Sequence, residues 1–215
     1  MSFPKDNICK IIYVLRSLGS RAFVRLFISR LFSVNHYYIL GKNLMTSREY
    51  PLAKKPKEPF SLVTVEDIEN IRSQLDSLDP EDRRAILTRL FFHEIGFTNC
   101  YVMRHGDDIA YIQWIIFPTE NQLINQYYSG IYYPLTAKQI VIENVFTFPR
   151  YRGRGYFLSG TLQLLELAKN KGYSSALCYI RKDRIMALNE LIPIGFKIIK
   201  MVREYKLGGK AWRTL

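Results

Sequence analysis

Val141-Ile142-Glu143-Asn144-Val145-Phe146-Thr147-Phe148 runs into Pro149-Arg150-Tyr151-Arg152-Gly153-Arg154-Gly155, then into Tyr156-Phe157-Leu158-Ser159-Gly160-Thr161-Leu162-Gln163-Leu164-Leu165-Glu166-Leu167-Ala168-Lys169. The first segment is β-rich, the second is built of glycine and arginine, and the third repeats apolar residues at helical spacing. That order predicts strand, turn, helix. Where such a turn opens directly into a helix, backbone N–H groups and the positive end of the helix dipole converge on one place. Gly153 and Gly155 permit positive φ and a close approach of backbone to ligand. The guest such a loop suits is an anion, phosphate above all.

Pro149-x-Tyr151-Arg152-Gly153-x-Gly155 resembles motif A of the GNAT acyltransferase superfamily: Arg or Gln, two residues, Gly, one residue, then Gly or Ala. Arg152 takes the first place, Gly155 the glycine, and Phe157 stands where Gly or Ala is usual, which should push the helix start slightly away from whatever lies over it. The resemblance covers roughly the last 150 residues, most closely those from Val141 to Phe196. It implies an α/β (α+β) fold with a mixed, mostly antiparallel sheet flanked by helices. It also implies acyl transfer from acetyl-CoA or another acyl-CoA to an amine, with a hydroxyl as the rarer acceptor. The pantetheine arm would lie where the central strand splays from the next, against Val145, Phe146 and Thr147. The pyrophosphate would rest on the amides from Gly153 through Arg154, Gly155, Tyr156 and Phe157 to Leu158, beside the cations Arg152 and Arg154.

An alkyl amine with a pKa near ~10.4 is mostly protonated at neutral pH, so a general base is useful. Glu143 is the only acid of the central strand and shares the parity of Val145 and Thr147, which makes it the candidate base; a strand-end acid paired with a surface lysine is the competing reading. Many relatives carry a tyrosine acid in the helix before the Gly-Phe pair, and an asparagine at that helix's start. Aligned on Gly195-Phe196, those places hold Leu191 and Arg184. Tyr179 on the preceding strand is the substitute candidate.

The chain has 215 residues, 48% hydrophobic and 23% charged, a globular composition. Cys9, Cys100 and Cys178 are scattered, as are His36, His93 and His105, so neither a disulfide scaffold nor a structural metal is expected. No apolar run reaches the ~18 residues of a membrane span and no signal-peptide pattern opens the chain, so a cytoplasmic protein is expected.

The net charge of +12 sits at the two ends. Residues 1–50 hold eight Lys/Arg against two acids, residues 51–149 nine against thirteen, and residues 150–215 fourteen against four. Without a helix-turn-helix, zinc-finger or RNP-like pattern, nucleic acid is not the expected partner, and coenzyme A accounts for the basic C-terminal third. Residues 8–32 read as a basic amphipathic helical extension with two outcomes: packing on the domain's own core, or contact with an anionic membrane or a partner. Self-association stays open.

A Lys- and Pro-rich linker around Lys54–Pro59 predicts a boundary between an extension, residues 1–59, and an acyltransferase-like domain, residues 60–215. His36–Leu40 is strand-like. Thr64 with Asp67 predicts a capping box, and Asp79-Pro80-Glu81-Asp82 a second helix start. A hairpin turns at His105–Asp108. Asn121–Pro134 is tyrosine-rich, and either lines an acceptor site or covers the sheet edge. Two alternatives to an acyltransferase follow: a GNAT-fold protein that binds acyl-CoA with little catalysis, and a basic membrane- or nucleic-acid-associated module.

Overall fold

The computed structural model describes residues 32–46, 60–207 and 210–214. The helix expected over residues 8–32 lies outside them up to Phe32, and so does most of the linker. Eight strands form one sheet in the order β2-β3-β4-β5-β6-β1-β7-β8. The strands are β1 (Phe32–Asn43), β2 (Phe60–Leu62), β3 (Cys100–His105), β4 (Asp108–Ile116), β5 (Gln139–Thr147), β6 (Ser175–Arg181), β7 (Lys197–Leu207) and β8 (Lys210–Arg213). All neighbours are antiparallel except β5 and β6, which are parallel. The helices are α1 (Val65–Ser73), α2 (Pro80–Glu94), α3 (Asn121–Tyr127), α4 (Tyr156–Asn170) and α5 (Ile185–Leu191).

The helix starts follow from their caps. Thr64 and Asp67 close a reciprocal capping box on α1, with the Thr64 N–H donating to Asp67 Oδ2 at 2.9 Å. Asp79 Oδ1 accepts from the Glu81 and Asp82 amides ahead of α2, both at 2.9 Å, with Pro80 in the first turn. Two apolar clusters fill the faces of the sheet. One gathers Ile71, Ile86, Leu90 and Phe92 of α1 and α2 with Val102, Ile112 and Trp114. The other gathers Leu164, Leu165 and Ala168 of α4 with Leu188 and Leu191 of α5 and the strand residues Leu40, Ile115 and Ile140. Gly160 is where α4 meets the sheet most closely: a Cβ there would stand 2.3 Å from the Tyr111 ring. Glycine is therefore required for this helix to lie on β4. Cys100 and Cys178 are buried free thiols.

The sheet does not respect the expected boundary at residue 59. β1 comes from the predicted extension, yet lies between β6 and β7, paired over Tyr37–Asn43 with one and Phe32–Gly41 with the other. An interior strand gains two ladders of hydrogen bonds, which outweighs the local composition that marked a linker downstream. Asn121–Pro134 opens with the short helix α3. Among the described residues no helix is long and apolar enough to cross a membrane.

Candidate active site

Past β5 the chain makes a single turn of 3-10 helix at Pro149–Tyr151, then passes through Gly153 at φ 74° and Gly155 at φ 81° before α4 begins. Both glycines occupy the left-handed region, as the sequence requires of this turn. The Ser159 N–H donates to Gly155 O at 3.1 Å, the first backbone bond of α4. Amides earlier in the turn have no carbonyl a helical turn behind them and form the helix's positive end. A Cβ on Gly153 would meet nothing within 4 Å, so the loop stands open to solvent.

The arginines of this loop brace it. Arg152 pairs with Asp82 at the start of α2, and its Nε donates to Thr147 O at 3.2 Å. Arg150 and the Tyr151 hydroxyl both reach Asp108 Oδ2, at 3.0 and 2.6 Å. Arg154 lies 5.5 Å over the Tyr151 ring. Tyr156 is buried, its hydroxyl 3.2 Å from His105 Nδ1, and Phe157 packs against both apolar clusters. The ring at the motif's last place is thus partly drawn into the interior.

β5 and β6 pair only at Gln139–Val141 against Ser175–Leu177, although each strand continues well beyond. A split opens between them on the side of Glu143, Val145, Phe146, Thr147 and Tyr179. Its β5 wall is bulged. Ile112 faces Phe146 and Trp114 faces Glu143, so β5 carries one residue more than β4, and Asn144 takes φ 54°. Such bulges turn a strand's groups away from the ladder. Arg89 of α2 fixes this one: Nε donates to Asn144 O and Val145 O (3.1 and 3.0 Å), Nη2 to Val145 O (2.6 Å) and Nη1 to Ala85 O (2.6 Å). Burial pulls the Arg89 pKa down to about 10.

Glu143 lies at the head of the bulge. Its Oε2 is enclosed and has no hydrogen-bond partner. Burial pushes its pKa up to about 7, against the opposing pull of Arg213, the Asn144 amide, Arg89 and the Tyr179 amide. A carboxyl at that value can take a proton at neutral pH. Among the described residues no lysine is seen to pair with Glu143, and the cations that act on its carboxyl are Arg213 and Arg89.

Around Glu143 stands a wall of tyrosines. The Tyr179 hydroxyl accepts from the Tyr133 N–H at 3.1 Å, and burial pushes its pKa up to about 12. The Tyr132 ring meets Tyr179 edge-on at 5.1 Å and Tyr128 at 5.5 Å. Behind them Arg213 of β8 is enclosed, its guanidinium 4.0 Å over Tyr37, 5.2 Å over Tyr179 and 5.7 Å over Tyr132. It pairs with Glu204 of β7 at 2.9 Å and donates through Nη1 to Ile131 O at 3.0 Å. The two side chains are 5% and 4% exposed, which makes this a buried ion pair.

The structure therefore gathers Glu143 and Tyr179, found from the sequence, with Tyr128 and Tyr132 of the tyrosine-rich segment. Arg89, Tyr37, Glu204 and Arg213 went unforeseen. One signal was available: Glu204 is the sole acid among the seven charged residues from Lys197 to Arg213. An isolated acid at a strand's buried parity implies an interior cation.

No family model and no curated protein sequence matches the chain. Solved structures do match it in fold. A glucosamine N-acetyltransferase region of a fungal multi-domain GH3 β-N-acetylglucosaminidase aligns over 86% of this chain with a TM-score of 0.59 at 14% identity. A GNAT-family acetyltransferase from Colwellia psychrerythraea aligns over 96% of this chain and 75% of its own, with a TM-score of 0.55 at 11% identity. An N-acetyltransferase of the same group from Sphaerobacter thermophilus aligns over 87% of this chain, with a TM-score of 0.51 at 13% identity. The chain spans 22% of the fungal protein's length and 56% of the Sphaerobacter one. Its fold is that of the GNAT acetyltransferases.

Proposed function

We propose that this chain transfers an acyl group, acetyl in the simplest case, from acyl-coenzyme A to an amine. The observation that carries the reading is the position of Glu143: a buried carboxyl with one oxygen unpartnered and a pKa of about 7, at a bulge beside the β5–β6 split, on the strand that leads into the Gly153–Gly155 turn.

The residues present suit such a thioester substrate. The turn and the start of α4 offer backbone N–H groups to a pyrophosphate. β5 has no β6 partner beyond Val141, so its edge from Val145 through Phe146 to Thr147 borders the split in which an amide-bearing arm would lie. In the reaction the amine nitrogen attacks the thioester carbonyl carbon, the new C–N bond forms and the C–S bond breaks. Glu143 removes the proton that the nitrogen must lose. The sulfur departs as a thiolate, whose ordinary pKa near ~8.5 lets it leave without full protonation. Tyr179 accepts a bond from the Tyr133 amide, so its own proton remains for donation. At a pKa of about 12 it serves as a hydrogen-bond donor to the sulfur more readily than as a proton source.

The second reading, acyl-CoA binding with little turnover, is favoured by Leu191. It is fully buried and apolar at the place where relatives carry a tyrosine acid. The assay that separates the two follows thiol release from acetyl-CoA against a broad amine panel, with Glu143→Gln in parallel. Amine-dependent release that falls about 100-fold in the variant supports transfer. Acyl-CoA binding without release supports the second reading.

A further inference from the structure

Among the described residues, no helix lies on the β1–β7–β8 end of the sheet on the face opposite the tyrosine wall. Glu204 and Arg213 point into the wall, so strand alternation places Arg203, Tyr205 and Leu207 of β7, and Lys210 and Trp212 of β8, on the other face. The register sets Phe32 opposite Leu207, Val34 opposite Tyr205 and His36 opposite Arg203 on that face. Phe32, Val34, Leu207 and Trp212 are each 40–53% exposed, and none belongs to either apolar cluster among the described residues. Tyr205 and Trp212 stack at 5.8 Å.

This apolar face has a cationic rim. Arg203 and Lys210 are exposed within it, and a groove of about 440 Å³ where β1 meets the end of β6 is lined by Val34, His36 and Lys182, and by Arg181, whose register with Tyr37 sets it toward the wall side. The one acid of that groove, Asp183, is held by Arg181 through two bonds of 2.6 Å. The chain enters the face at Phe32 from a segment, residues 8–31, with five Lys/Arg and no acid among its many aliphatic and aromatic residues. The face and the segment that leads into it therefore carry charge of the same sign. A surface that is apolar inside and anionic outside complements both.

We propose that this face of β1, β7 and β8 docks the protein on an anionic lipid bilayer, with Phe32, Val34, Leu207 and Trp212 entering the interfacial layer and Arg203, Lys210 and Lys182 meeting headgroup phosphates. Aromatic and aliphatic side chains ringed by Lys and Arg are suited to the headgroup boundary, where the cations draw on the negative surface potential. A single-stranded nucleic acid would call for cations through the centre of the face, which aliphatic side chains occupy instead. Docking does not depend on the acyltransferase reading.

Trp212 supplies a local probe. The chain has two tryptophans, and the other, Trp114, is fully buried. The test uses the full chain with sucrose-loaded vesicles of about 3:1 phosphatidylcholine to phosphatidylserine, and with phosphatidylcholine alone. Expected are co-sedimentation with the anionic vesicles only, weakening as salt is raised, and quenching of tryptophan emission by brominated lipid. The double variant Arg203→Glu/Lys210→Glu, at two exposed positions, should lower partitioning at least about tenfold without changing the melting temperature. Sedimentation with unquenched tryptophan would overturn the proposal, because residues 1–31 would then be binding without the face. So would equal binding to neutral vesicles, or binding of polyuridylate in preference to lipid.

Discussion

The two flanks of the β5–β6 split are built in opposite ways. The β5 flank is local: bulge, proline turn, positive-φ glycines and helix start follow one another from Glu143 to Leu158, and what they present is backbone. The β6 flank is assembled from Tyr37, Tyr132, Tyr179, Glu204 and Arg213, four separate stretches of chain, and what it presents is side chains. Backbone recognition needs only the right conformations in sequence. A side-chain wall needs the whole topology before any part of it has a function.

The largest expected effect tests the long-range flank. Arg213→Met takes the enclosed cation from the buried Glu204 carboxylate, leaving it the half-exposed Lys206 at 3.2 Å and the Tyr37 hydroxyl at 3.4 Å, and should destabilise the fold by up to about 3–5 kcal/mol, read from denaturant midpoints. Arg213→Met/Glu204→Met should recover most of that loss, since replacing both partners removes the stranded charge. If the single variant melts like wild type, the wall is not held by this pair.

Next in size is the carboxyl between the flanks. If Glu143 is the base, kcat/KM should rise with pH through about 7 and then level, and Glu143→Gln should abolish that rise. Stability gives an independent reading. A carboxyl whose folded pKa lies above its ordinary 4.5 favours the fold at low pH, and that contribution is lost as pH rises through about 7. Glu143→Gln should therefore gain stability over wild type at pH 8, by up to roughly 3 kcal/mol, and little at pH 5. Equal pH dependence in the two proteins would remove Glu143 from the site.

The local flank is tested by Gly155→Glu, which sets a carboxylate where the amides converge. Coenzyme A affinity in calorimetry should fall at least about tenfold, while the left-handed φ costs the fold only ~1–2 kcal/mol. Unchanged affinity would break the assignment of this loop. Smallest is Arg152→Ala. Its side chain is committed to Asp82 and Thr147 O, and is half exposed, so the loss should be about 0–1 kcal/mol of stability with coenzyme A affinity within about threefold. A far larger loss of affinity would show that this arginine binds instead of bracing.

The same contrast explains what could be read from the sequence. Val141–Lys169 yielded its strand, turn and helix because each state is dictated by neighbours a few residues away, and Thr64–Asp67 and Asp79–Asp82 announced their helices for the same reason. Glu143 was singled out by strand parity. Tyr179 was found by its place on the next strand, but its bond to the Tyr133 amide spans 46 residues and has no local signature. The placement of β1 between β6 and β7 was illegible: His36–Leu40 looks like a strand, and nothing near it names its neighbours. Arg213 looks like one more cation of the basic C-terminal third, and only the isolated acid Glu204 hints that one of those cations is interior.

The position of β1 also sets the order of assembly. Its partners are separated from it by more than 130 residues on one side and more than 150 on the other, as the pairs Asn43–Ser175 and Leu40–Ile198 show. During synthesis it emerges first among the described strands and must wait, with both edges unsatisfied, until β6 and β7 have left the ribosome. Until then β2 to β5 and α4 can collapse, and the loop at Gly153–Gly155 can form, but Tyr37 has neither Arg213 nor Glu204 to meet. Closure of so distant a loop is slow and leaves strand edges open to wrong partners. The anion loop should therefore be native before the tyrosine wall is, and refolding should recover coenzyme A binding in an earlier phase than turnover.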